Sequence, residues 1–165
     1  MKKFILAALI ALPLSVFAQQ KFAHVNSATI IQAMPEYTTA QTELQNLSKE
    51  YEDELQRMQS ELQTKSEELE KNPPTVESIR QRKEQELQDL YQRLQQYYQT
   101  SQQEIQKAQQ EKMAAISDKV TKAIKEVGVA GGYVYIMDVT SGVPYISETL
   151  STDVTAQVKA KLGIK

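Results

Sequence analysis

Residues 66–87 read SEELEKNPPTVESIRQRKEQEL, a helix-forming tract of Glu, Lys, Gln and Leu with two consecutive prolines, Pro73 and Pro74, at its middle. Each proline lacks the backbone donor and crowds the preceding turn, at a cost of about 3 kcal/mol inside a helix. The pair therefore ends one helix before Asn72. Thr75 stands where it can cap a second helix, and Glu77 puts negative charge into the first turn, where the helix dipole favours it. A short proline-containing connection between amphipathic helices most often joins antiparallel neighbours. Asn72, Pro73, Pro74 and Thr75 accordingly read as the tip of a helical hairpin.

Upstream of the tip, Tyr37, Ala40, Leu44, Leu47, Tyr51, Leu55, Met58, Leu62 and Leu69 recur at helical spacing and make a narrow, coiled-coil-like seam. Downstream, Val76, Leu87, Tyr98 and Val120 fall on one eleven-residue ladder, and Leu94, Ile105, Ile116 and Val127 on another. That period corresponds to about 3.67 residues per turn, hence a nearly straight or gently right-handed helix. Tyr91 and Tyr97 mark opposite edges of a stripe wider than the seam it faces. Folding about the tip sets Tyr37 opposite Gln110 and leaves Glu111 to Val127 to pack on something else. The hairpin, residues 35–127, has too thin a seam to be a globular domain.

The flanks supply the compact part. KFAHVN (21–26) alternates like a strand, and Ser27 is placed to cap the short helix ATIIQAM, which Pro35 closes. Gly128 is a C-cap candidate for the second long helix, after which GGYVYIMDVT reads as a strand apolar enough for burial on both faces. Ser141-Gly142 turns the chain and VPYIS returns, predicting a β-hairpin. Ser151 or Thr152 then caps a last helix, DVTAQVKAKL, with Lys159 and Lys161 suiting its C-terminal dipole and Gly163 closing it. The fold class is α+β: a small β-rich body built from residues 21–34 and 128–165, with the antiparallel hairpin inserted between its first and second strands. Three short strands make a marginal core with open sheet edges, and other copies of the chain are expected to complete it.

The N-terminus, MKKFILAALIALPLSVFAQQ, has the order of a secretory leader: Lys2 and Lys3, an apolar run too short to span a bilayer, and small residues before Ala18. Residues 1–18 are read as a cleaved signal peptide, leaving no stable membrane anchor. Loss of Lys2 and Lys3 takes the formal net charge from −2 to −4, a balance that argues against nucleic acid as a partner. There are no cysteines, which removes disulfides, thiolate metal sites and a cysteine nucleophile.

Catalytic and cofactor chemistry find no foothold in the sequence. The single histidine, His24, lies mid-strand with no acid or nucleophile beside it in sequence. GVAGGY lacks the Lys-Ser/Thr of a phosphate loop and precedes a strand, not a helix. The acidic clusters Glu52, Asp53 and Glu54, and Glu67, Glu68 and Glu70, point around a helix among Lys49, Arg57, Lys65 and Lys71, and so read as a solvated face without a metal. What remains is surplus apolar surface. Tyr91, Tyr97, Tyr98, Met58 and Leu62 flank a Gln-rich seam, and tyrosine and methionine make adaptable contacts with many partners.

The leader, the strand running into a short helix (KFAHVNSATIIQAM), the Gln/Glu/Lys hairpin and the end YVYIMDVTSGVPYISETLSTDVTAQVKAKL together resemble the Skp/OmpH family over essentially the whole mature chain. The resemblance implies a periplasmic, ATP-independent holdase: a homotrimer whose β-rich body carries three helical tentacles around a cavity for unfolded outer-membrane proteins. The five residues just named would then be client contacts. The chain departs from the best-known members in being acidic where they are basic, so no lipopolysaccharide or DNA role is carried over. The alternative reading is an exported coiled-coil spacer of the cell envelope, which needs only a saturated seam.

Overall fold

The computed structural model describes residues 20–164; the expected leader lies outside them. Alternation in KFAHV yields strand β1 (Lys21–Val25), with Ala23 and Val25 buried on one side and Phe22 and His24 on the other. Asn26, not Ser27, caps helix α1 (Ser27–Ala33), its side-chain oxygen accepting from Thr29 N at 2.9 Å. Ser27 is occupied elsewhere: its backbone N–H and hydroxyl both donate to the Asp138 carboxylate. Pro35 stops α1 and opens helix α2 (Pro35–Lys71) as its first residue, where a missing N–H costs nothing.

Residues 72–76 turn the chain, and helix α3 runs over Glu77–Gly131. Thr75 is not its cap. Val76 holds the extended N-cap conformation without a side-chain hydrogen bond, and its carbonyl accepts from Ile79 and Arg80 at 3.1 Å. α3 also runs past Gly128. The left-handed C-cap is Gly132, at φ 65°, whose N–H points back to the carbonyls of Gly128 and Val129. Gly128 serves close packing instead, since a Cβ there would lie 3.4 Å from Ile136 Cδ1.

Beyond Gly132 come strand β2 (Tyr133–Asp138), a 3-10 turn over Val139–Ser141, strand β3 (Ser151–Asp153) and helix α4 (Thr155–Lys161). The three strands form one sheet in the order β2-β1-β3, with β1 parallel to both neighbours. The predicted hairpin is therefore overturned. VPYIS is not a strand but part of a connection from one edge of the sheet to the other. Ser151 and Thr152, expected to cap the last helix, form β3. The ladder continues one residue further, Val154 N donating to His24 O at 2.9 Å, and α4 starts only after it. Nor is β2 buried on both faces, for Val134, Tyr135 and Met137 are exposed: β2 is an edge strand with helices on one side alone.

The core fills the space between the covered face of the sheet and the helices. Ile30, Val154 and Val158 are fully buried, joined by Ala23, Val25 and Met34 and by Ile116, Val120, Ala123 and Val127 from the end of α3. Burying a side chain of this size contributes about 1.5–3 kcal/mol. Away from this cluster the seam thins. Leu44, Leu47, Tyr51, Leu55, Met58 and Leu62 on α2 are half-buried, and among the described residues of α3 before Ile116 only Leu90 and Ser101 are buried. Low-numbered residues of α2 meet high-numbered residues of α3: Glu36 pairs with Lys119, Glu43 with Lys112, and the Tyr51 ring meets Tyr97 at 5.8 Å. The base register differs from a symmetric fold about the tip, because Glu36 reaches Lys119 where symmetry would offer the neighbourhood of Glu111.

Candidate functional site

The five apolar residues singled out in the sequence divide into two sets. Tyr97 and Met58 share a shallow groove of about 400 Å³ between α2 and α3, together with Glu54, Arg57 and Arg93. Tyr97 packs edge-on against Tyr51, and burial pushes its phenol up. Leu62 is half-buried further along the same seam. These three belong largely to the packing of the helix pair. Tyr91 and Tyr98 do not. Seven residues apart, they stand two turns from each other on one flank of the α3 seam and remain 51% and 56% exposed.

Charge around this flank is neutralised locally. Glu54 and Arg57 pair one turn apart, as do Arg80 with Glu77 and Glu84, and the paired carboxyls of Glu54 and Glu77 are drawn below the usual range by hydrogen bonds from Arg57 and Arg80. Exposed pairs of this kind contribute little to stability. Within each pair the opposite charges offset one another locally.

A second apolar surface was missed at the level of sequence. The face of the sheet turned away from the helices carries Phe22, Tyr135 and Met137, with the Phe22 and Tyr135 rings 5.0 Å apart. The connection 142–150 adds Val143, Tyr145 and Leu150 around a recess of about 290 Å³. Tyr145 and Leu150 are 78% and 69% exposed. Their signal was present in SGVPYISETL, whose apolar residues were assigned to a returning strand when they line a surface.

His24 has one neighbour that sequence distance concealed: its Nδ1 lies 2.9 Å from Ser151 Oγ. The third member of a relay is not in place. Asp153 accepts from Thr155 N at 2.8 Å, and no hydrogen bond joins it to His24 among the described residues. The bond stitches β1 to β3. No group of three or more His, Cys, Asp or Glu side chains among the described residues is arranged to hold a metal ion. No described helix is long and apolar enough to cross a membrane.

Comparison with curated protein sequences gives no match. Among solved structures, the fold is similar to that of an OmpH-like protein from Caulobacter crescentus CB15, assigned as an outer membrane chaperone, with a TM-score of 0.74 at 17% identity over 87% of this chain and 83% of that one. The family described as outer membrane protein (OmpH-like) matches residues 21–162, a span that takes in every strand and helix described above. The chain belongs to the OmpH-like family.

Proposed function

We propose that this protein is a periplasmic, ATP-independent holdase that assembles as a homotrimer and keeps unfolded outer-membrane proteins from aggregating, in a cavity between three projecting antiparallel helical hairpins. The observation that carries the reading is the pair Tyr91 and Tyr98, large aromatic side chains left exposed on a helix whose partner covers only a thin seam. An unfolded outer-membrane strand offers apolar residues at every second position along its length, which no single pocket could match. Many weak contacts on tethered arms hold such a chain by effective concentration and leave each contact exchangeable. Family membership, the leader-like N-terminus and the chaperone assignment of the Caulobacter protein all support this reading. The body, residues 21–34 and 128–165, would carry the trimer contacts through the open sheet face, and the leader would direct export.

The test is suppression of aggregation of a urea-unfolded outer-membrane barrel on dilution, without nucleotide. The protein should keep the barrel soluble near one trimer per client. Tyr91→Ser with Tyr98→Ser should weaken protection several-fold while leaving the assembly intact. An envelope spacer, the competing reading, would give no protection to lose.

A further inference from the structure

We propose that the uncharged, glutamine-lined face of α3 between Gln88 and Gln109 holds a client by its main chain, the side-chain amides pairing with backbone N–H and C=O groups of an extended segment while Tyr91 and Tyr98 take its apolar side chains. The inference rests on the holdase reading above and names what that site recognises.

Gln88, Gln95, Gln102 and Gln109 repeat every seven residues in a row beside Tyr91 and Tyr98, and Gln92, Gln99 and Gln106 form a second row beyond the first. All seven are exposed. At about 100° per residue, the four charged residues of this stretch, Asp89, Arg93, Glu104 and Lys107, fall on the opposite side of the helix from the two tyrosines. Arg93 accordingly lines the groove on the Tyr97 flank. On the tyrosine side the face runs down to Ile105 and Gln109, which line a groove of about 560 Å³ with Leu44, Gln41 and Gln45 of α2; its charged lining residues, Lys49 and Glu52, are opposite in sign. Nearer the tip, Gln81 and Gln85 are tied to Glu77 and Asp89, but among the described residues none of the seven has a hydrogen-bond partner for its side chain.

The chemistry of this face selects its occupant. Solubility does not require it to be neutral, since α2 exposes charges in pairs such as Lys49–Asp53, Arg57–Glu54 and Lys71–Glu67. A helix from another copy would call for apolar residues at heptad spacing, where glutamine stands, and a charged partner would call for charge. A glutamine amide offers N–H donors and a carbonyl acceptor, the same groups as the peptide unit. An outer-membrane strand outside its barrel has those backbone groups unpaired and an apolar side chain at every second residue, so amides and tyrosines together complement it whatever its charge. Spacing sets how it is held. The glutamine rows repeat every ~10.5 Å along the helix and the same-face residues of an extended strand every ~6.7 Å, so the two periods do not coincide and no register is preferred. Contacts can then exchange one at a time, and the segment is held without being templated into a fixed pairing.

The test measures protection of the urea-unfolded barrel against chaperone concentration for the full chain and for two quadruple variants. Gln88→Ala, Gln95→Ala, Gln99→Ala and Gln102→Ala together remove the amides and favour the helix, whereas Asn at the same four positions keeps an amide on a shorter stem. The concentration giving half-protection should rise by about tenfold in the Ala variant, the worth of about one or two net hydrogen bonds, and by clearly less in the Asn variant. Light scattering and circular dichroism should be unchanged in both. Equal or better protection by the Ala variant, or an Asn variant no better than it, would overturn main-chain recognition and leave the holdase standing on its tyrosines. Loss of the assembly in the Ala variant would mean that the face packs on another copy, and would also overturn the inference. Failure of the unsubstituted chain to protect the barrel would overturn the holdase reading, and this inference with it.

Discussion

At Gly132 the chain leaves α3 with φ 65° and enters β2 one residue later. A Cβ there would meet nothing within 4 Å, so Gly132→Ala should cost only the backbone penalty, about 1–2 kcal/mol. A lowered urea midpoint with unchanged far-ultraviolet circular dichroism is the expected result. Asp138 predicts a pH dependence. Burial alone would raise its pKa, but hydrogen bonds from Ser27 and Thr140 outweigh that and hold the carboxyl below the usual aspartate range. Its contribution is present above the unfolded aspartate value near 3.9 and is lost as pH falls through the lower folded value. Asp138→Asn should flatten the acid limb of a stability-versus-pH curve measured by urea unfolding. The same carboxylate shows why one cap was misread. Asn26 and Ser27 are both competent N-caps, and the choice is made by a partner 111 residues away, invisible to a local reading.

Among the helices, periodicity was informative and punctuation less so. Every seam position read on α2, from Tyr37 to Leu69, is at least half-buried, because helical spacing alone decides which residues face the partner. On α3 the ladder through Leu94, Ile105, Ile116 and Val127 faces inward, while Val76 and Tyr98 on the other ladder stay exposed. Gly128 looked like a stop and is an interior contact, and Thr75 looked like a cap and lies one residue early. The vacancy at Val76 offers a test. It has N-cap geometry without a capping side chain and is already 52% exposed, so Val76→Ser should stabilise the first turn of α3 by about 0.5–2 kcal/mol. Slower amide exchange at residues 79–82 would register the gain. The strands were harder to read. Ser141-Gly142 between apolar runs is the same local signal for a hairpin and for a crossing connection, and only the two open edges of β1 decide between them.

For the whole molecule, the trimeric reading predicts three chains by light scattering and a hydrodynamic radius larger than that of a sphere of equal mass. A stable monomer would remove the basis for a shared cavity. Because many of the exposed charges pair locally, within a helix or across α2 and α3, and Tyr91 and Tyr98 protrude, client protection on the holdase reading should change only slightly between low salt and about 0.1 M, where screening sets in beyond about 10 Å. A steep loss with salt would transfer the affinity to charged groups near the tip, such as Arg82 and Lys83. The outline of the molecule, two long helices on a small sheet, was legible because it follows from composition and two prolines. The open sheet face was not, because apolar residues in a connection look the same in sequence whether they are buried or presented.

The place of β1 in the sheet has a consequence for how the molecule comes into being. The first strand made is the central one, and its two neighbours are the last strands made: Lys21 waits for Tyr133, and Phe22 for Ser151. Through most of synthesis β1 has no partner on either side, while α2 and α3 can already coil on each other. The sheet is thus a report on completeness. A chain cut short at residue 150 keeps the whole of both long helices but loses β3, Val154 and Val158, and with them one neighbour of β1 and part of the core. On the trimeric reading, such a fragment should retain helical circular dichroism and fail to assemble, which light scattering would register.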